Sequence, residues 1–201
     1  MTPSRSLRVG LTGGLASGKS TVAGWLRDAG FLVVDADRLV AELHQPGGAG
    51  AAAVRDLFGP EFLNEQGGVD HAKVGARVFA DPAARKALEK AVHPLVRQRF
   101  IELAGQAGDV AILEATLLVE AGHAEDFDLV VTVECDGETR LRRAVARGLS
   151  EEAARARLLA QGDGEERRSA AHRRIDNCDD LAHLRRQVDD LITELRRLAA
   201  G

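Results

Sequence analysis

Residues 13–20 read Gly-Gly-Leu-Ala-Ser-Gly-Lys-Ser, and what flanks them limits the fold more than any other stretch of the chain. Leu7-Arg8-Val9-Gly10-Leu11 reads as a short apolar strand entering this run. Val22, Trp25, Leu26 and Ala29 then recur at helical spacing, and Gly30 is placed to stop the helix at C′. A strand, a glycine-rich turn and a helix in that order form a phosphate loop. Gly13 and Gly18 allow positive φ, so that successive N–H groups can curl around a di- or triphosphate. Lys19 supplies a point charge for the β- and γ-phosphates, and Ser20 a hydroxyl for Mg²⁺. Thr21 follows in the first helical turn, whose positive end faces the anion. The chain is expected to bind a nucleoside triphosphate.

Three further branched runs read as strands: Phe31-Leu32-Val33-Val34, Val110-Ala111-Ile112-Leu113 and Leu129-Val130-Val131-Thr132-Val133. Helical stretches separate them, which predicts an α/β fold with a parallel β-sheet flanked by helices on both faces. The interval between the second and third strands is too long for a loop. It carries helical patterns at 38–45, 49–58, 72–80 and 83–105 and reads as an inserted helical subdomain. Residues 138–161 read as an Arg-rich helical pair joined at Gly148-Leu149-Ser150, and 180–199 as a final amphipathic helix.

At 201 residues the chain suits one domain with an insertion. A net charge of −4 argues against a nucleic-acid or anionic-membrane binder. No apolar run is long enough to span a bilayer, and the first six residues lack the apolar stretch of a signal peptide. Cys135 and Cys178 are lone thiols without C-x-x-C spacing, so a cytoplasmic protein is expected. None of His44, His71, His123, His172 and His183 shows ligand spacing, so a zinc site is not expected.

In a parallel sheet the ligand lies beyond the C-terminal strand edge. Asp35 and Asp37 follow the second strand, where a carboxylate could orient an acceptor hydroxyl, accept its proton or ligate Mg²⁺; either could instead cap the next helix. Glu114 ends the third strand and reads equally as a Mg²⁺-facing acid or a structural carboxylate. Glu120 could cap or buttress the loop that follows. Arg140, Arg143 and Arg147 share a helical face, with Arg142 beside them. Arg147 is favoured for contact with the transferring group, Arg143 is open, and Arg140 and Arg142 read as solvated charge. Arg167 and Arg168 pose the same question. His93-Pro94 reads as a helix boundary, Pro94 standing at N1.

Taken together these segments resemble the dephospho-CoA kinase family. The likeness runs from Leu11–Thr21 through Val34-Asp35-Ala36-Asp37, Phe58–Phe62, Val78–Asp81 and His93-Pro94-Leu95-Val96. It continues through Leu117-Leu118-Val119-Glu120, the stretch from Arg143 to Arg147, Leu158–Gln161 and Ile175-Asp176-Asn177. Thr116 stands where the family usually has Pro, His71 where Arg is common, and Leu15-Ala16 where Ile-Gly is usual.

The resemblance implies ATP-dependent phosphorylation of the ribose 3′-hydroxyl of dephospho-CoA, the last step of coenzyme A synthesis. It implies a single kinase domain over 1–201, with a core at 1–40 and 106–201, a CoA-binding insertion at about 41–105 and a lid at about 138–168. Asp37, Lys19 and Arg147 form the expected catalytic set. ATP is expected at Gly14, Leu15, Ala16, Ser17, Gly18, Lys19, Ser20 and Thr21, with Arg143, and with Asn177 near the adenine. Dephospho-CoA is expected at Thr12, Asp37, His93, Leu117, Leu118 and Glu120, and Mg²⁺ at Ser20 and Glu114. The expected assembly is a monomer, with weak oligomerisation as the alternative. A guanine-nucleotide switch is disfavoured because the chain has no N-K-x-D run.

Overall fold

The computed structural model describes residues 6–106 and 108–200, so the first five residues of the expected non-signal N-terminus lie outside it. The chain separates into two compact units, one of Met1–Val34 with Ala104–Gly201 and one of Asp35–Leu103.

The first unit is built on a five-stranded sheet in the order β2-β3-β1-β4-β5. Its strands are β1 (Leu7–Thr12), β2 (Leu32–Asp35), β3 (Val110–Glu114), β4 (Leu129–Glu134) and β5 (Arg173–Asp176). The pairs β1/β3, β1/β4 and β4/β5 are parallel. All five residues of β3 are buried, as are the last four of β1, so the central strands run as continuous buried segments rather than alternating, with Thr12 and Glu114 as their polar ends.

Helix α1 (Lys19–Asp28) buries Val22, Ala23 and Leu26. It ends where expected: Gly30, at φ +93°, donates to the Arg27 carbonyl while Phe31 donates to that of Leu26. That paired closure requires the left-handed conformation at Gly30. The last helix of the chain, α9 (Leu181–Ala200), buries Leu184, Val188, Leu191, Ile192 and Leu195. Together with α1 it covers a core of Val9, Leu11, Ile112, Val131 and Val133. Each fully buried aliphatic side chain contributes about 2 kcal/mol.

Between β4 and α9 lie α6 (Gly137–Ala146), α7 (Glu151–Ala160) and the short α8 (Glu165–Ala170). The Ser150 hydroxyl accepts from the Ala153 N–H and starts α7, as its sequence suggests. The strand β5 was not anticipated. Ile175 is its one fully buried residue, because β5 is an edge strand that leaves Arg174 and Asp176 exposed and Arg173 half-buried.

The second unit comprises α2 (Ala36–Leu43), α3 (Ala49–Phe58), α4 (His71–Ala80) and most of α5 (Pro82–Ala104). Its limits are Asp35 and Leu103, against the expected 41 and 105. Val54, Val74 and Val69 form its centre, with Phe58 and Phe62 packed against them. The expected boundary at His93-Pro94 is absent, since Pro94 lies inside α5. The ring removes one N–H from the helical ladder. However, Val92, Val96 and Phe100 are buried at four-residue intervals on either side, and this continuous apolar stripe carries the helix through.

Candidate active site

The central position of β1 brings the ends of β3 and β4 to either side of the loop that follows it. On the β3 side, Leu11 pairs with Glu114 in register, and the Ala115 N–H donates to the Leu11 carbonyl. Glu114 is buried beneath the loop. Its Oε1 accepts from Lys19 Nζ at 2.9 Å and from Ser20 Oγ at 3.1 Å. Two adjacent loop residues and a strand end 94 residues further on are thus joined at one carboxylate oxygen. The arrangement offers a cation for phosphate and two oxygen donors of the kind that Mg²⁺ takes.

The loop is shaped for an anion. Helix α1 starts at Lys19 behind Gly18, without a side-chain cap and with no acid in its first turn. By contrast α2, α4, α6 and α7 are capped by Asp35, Asp70, Asp136 and Ser150. The first N–H groups of α1 and the positive end of its dipole therefore face the loop unneutralised. The Ser17 hydroxyl is buried with no hydrogen-bond partner among the described residues. Ala16 holds φ +57°, a left-handed position where the family usually has glycine.

Two residues support the loop from the β4 side. Asn177 follows β5, its N–H donating to the Glu134 carbonyl at 2.9 Å. From there its buried amide Nδ2 donates to the Ser17 carbonyl at 2.7 Å. A Cβ at Gly18 would come within 2.0 Å of that nitrogen, and Gly18 also holds φ +100°, so glycine is required twice over. Asn177 is therefore a residue that holds the loop.

Arg140 is the second support, and it corrects the reading of that side chain as solvated charge. It is buried, with Nε donating to the Leu15 carbonyl at 3.0 Å and Nη2 to Gln161 Oε1 at 2.9 Å. The same Gln161 oxygen accepts from the Leu15 N–H at 2.8 Å. Burial, and then the nearby Arg167 charge, hold the Arg140 guanidinium below its ordinary value. A Cβ at Gly14 would lie 2.2 Å from Arg140 Nη2, which ties Gly14 to this clamp. Helical spacing alone could not show that the Leu15 carbonyl receives this side chain.

Arg143 and Arg147 lie further along the same helix. Arg143 is half-buried with Nη1 3.8 Å from Cys135 Sγ. Arg147 caps the C-terminus of α6, exposed, with no side-chain partner among the described residues. Arg142 is exposed and bonds Thr139, as a solvated residue should.

The loop after β3 carries the remaining matched positions of this unit. Thr12 Oγ1 donates to the Thr116 carbonyl at 3.1 Å and is fully buried. Leu117 is exposed, whereas Leu118 is buried with Val119 and Val130. Glu120 buttresses the loop by pairing with Arg167, which is completely buried and also reaches Glu134. A buried guanidinium needs such partners, because a lone charge there would be costly by several kcal/mol, on the order of 3–5.

In the second unit, the Asp35 carboxylate accepts from the N–H groups of Asp37 and Arg38, so Asp35 takes the capping role. Asp37 sits in the first turn of α2, exposed, with no carboxylate partner among the described residues. His93 is half-buried within α5.

Comparison with known proteins bears on the family to which the chain belongs. The family model described as dephospho-CoA kinase matches residues 7–183. The chain is 44% identical over 192 residues to a dephospho-CoA kinase of Streptomyces avermitilis, covering 94% of each chain. Among solved structures, a Thermus thermophilus protein matches with a TM-score of 0.81 at 36% identity, over 96% of this chain and 99% of that one. The dephospho-CoA kinase of Campylobacter jejuni matches with a TM-score of 0.70 at 27% identity, over 94% and 96%. The chain belongs to the dephospho-CoA kinase family.

Proposed function

We propose that Asp37, Lys19 and Arg147 carry out, in this chain, the ATP-dependent phosphorylation of the ribose 3′-hydroxyl of dephospho-CoA that completes coenzyme A synthesis. The junction of Lys19, Ser20 and Glu114 at 2.9 and 3.1 Å is the observation that carries this reading. It combines a phosphate cation with an oxygen-donor pair at the mouth of an uncapped helix.

The loop from Gly14 to Thr21 cradles the triphosphate through those N–H groups that its own hydrogen bonds and Gln161 do not occupy, and Lys19 moves from Glu114 to the β- and γ-phosphates. Ser20 and Glu114 are the residues that would hold Mg²⁺, which when bound spreads the charge on the β- and γ-oxygens. Asp37 orients the 3′-hydroxyl and takes its proton as the new O–P bond forms and the bond to the ADP oxygen breaks. A free carboxylate in a first helical turn suits this role, since the loose transition state demands positioning more than basicity. Arg147, with Arg143 behind it, meets the charge on the transferring group.

Thr12, His93, Leu117 and Glu120 are assigned to dephospho-CoA, Leu118 contributing through the loop it anchors. Asn177 contributes to ATP binding by fixing Ser17. Among the described residues no helix is long and apolar enough to cross a membrane. We place the enzyme in the cytoplasm, a location that free Cys135 and Cys178 support, and take it to be a monomer.

The test is ADP release from MgATP with and without dephospho-CoA, with AMP and shikimate as control acceptors. Release that depends on dephospho-CoA, with a product heavier by one phosphate, is the expected result. Release with AMP or shikimate but not with dephospho-CoA would overturn the acceptor.

A further inference from the structure

Cys135, Asp136 and Cys178 come from two separate junctions, β4 to α6 and β5 to α9. The parallel register of Glu134 with Asp176 brings these junctions side by side. One donor atom from each of the three residues lies within 4.8 Å of the other two. Asp136 divides its carboxylate between two tasks. Oδ1 accepts from the Thr139 N–H at 2.8 Å to cap α6, while Oδ2 faces Cys135 Sγ at 3.7 Å. Cys178 Sγ is held on the other side by the Asp136 N–H at 3.4 Å.

We propose that Cys135, Asp136 and Cys178 form a binding site for a thiophilic divalent cation, Zn²⁺ by donor set, distinct from the Mg²⁺ site at the phosphate loop. The spacing fits a tetrahedral ion. With Zn–S about 2.3 Å and Zn–O about 2.0 Å, the sulfur–oxygen edge is about 3.5 Å and the sulfur–sulfur edge about 3.8 Å. The observed 3.7 Å edge already meets the first value closely. Soft sulfur donors select against Mg²⁺, which takes the all-oxygen pair at Ser20 and Glu114 instead.

Access and charge agree with the assignment. Cys178 is exposed and Cys135 half-buried, leaving an open position for water as the fourth ligand. Two thiolates and one carboxylate bring −3 against +2, and the remaining −1 lies beside Arg143, whose Nη1 is 3.8 Å from Cys135 Sγ. Binding displaces the thiol protons into solvent. The ion would tie the loop bearing Asn177 to the start of the helix bearing Arg140, the two residues that support the phosphate loop.

The test uses the full chain, reduced with a phosphine and freed of metal, in excess Mg²⁺. Co²⁺ is titrated as a spectroscopic probe and then displaced by Zn²⁺. One equivalent should bind with thiolate-to-cobalt charge-transfer absorption and tetrahedral visible bands. Cys135→Ser and Cys178→Ser should each leave roughly half of the charge-transfer intensity at saturating Co²⁺ and weaken binding by more than about 100-fold, beyond what loss of a supporting contact costs. Asp136→Asn keeps the cap and should weaken binding by about tenfold. Zn²⁺ should raise the melting temperature of the parent chain but not of either serine variant, whose fold is checked by circular dichroism. Co²⁺ binding without charge transfer, or equal affinity in Cys178→Ser, would overturn the site.

Discussion

Arg140 and Asn177 show how a phosphate loop is held in shape by side chains bonded to its backbone. Each donates to a loop carbonyl, Leu15 in one case and Ser17 in the other. Arg140→Lys keeps the charge but loses the planar fork, and a charge-assisted hydrogen bond is worth about 1.5–3 kcal/mol. KM for ATP should therefore rise by roughly tenfold or more while the fold persists; an unchanged KM would remove the clamp from the account. Ala16 offers the opposite case. Its left-handed φ of +57° is a strained position for an L side chain. Ala16→Gly should raise stability by up to about 1 kcal/mol, read as a melting-temperature gain of about 2–4 °C. The placing of Lys19 and Ser20 was legible because the motif fixes their spacing, while the strand end beside the phosphate loop located Glu114 but left it open between a metal-facing and a structural carboxylate. Arg140 was not legible, since a helical face counts charges but does not reveal the carbonyl above it.

At the scale of elements, the helix starts separate the two aspartates that the sequence left ambiguous. Asp35 caps α2 through two backbone N–H groups, and among the described residues the Asp37 carboxylate caps no helix. Asp35→Ala should cost about 1 kcal/mol of stability, Asp35→Asn much less, and Asp37→Ala almost none, all measurable by thermal melting. Equal losses at 35 and 37 would contradict the division. The central strands were readable as unbroken apolar runs. Strand β5 was not, because an edge strand buries one residue in four and otherwise looks like charged loop. Pro94 misled for a related reason. Local stereochemistry disfavours a helix through it, and only the buried residues before and after show that packing prevails. The Arg167–Glu120 pair likewise joins α8 to the loop after β3, a contact between segments that no local pattern encodes.

Across the whole molecule, the first unit places its phosphate chemistry at the C-terminal edge of a parallel sheet, where the strand order departs from sequence order to either side of β1. That much follows from strand spacing. The second unit carries a pH dependence of its own. His44 is buried beside His71, ring centroids 5.3 Å apart, with neither ring nitrogen of His44 hydrogen-bonded among the described residues. Burial, then the His71 charge, lower its pKa below the ordinary 6.5. The unfolded chain thus takes up this proton more readily than the folded one. Stability is complete above about pH 6.5 and falls as pH drops towards the lower folded value. Melting temperature should rise with pH across this window and flatten in His44→Leu; an unaltered slope would assign the effect elsewhere. The proposed phosphoryl transfer rests on Asp37 as the residue that handles the acceptor hydroxyl. Its most direct test is kcat of Asp37→Asn with MgATP and dephospho-CoA, measured beside ATP affinity. A fall in kcat of about 100-fold or more with ATP affinity unchanged is the expected result. Turnover equal to that of the parent chain would contradict it.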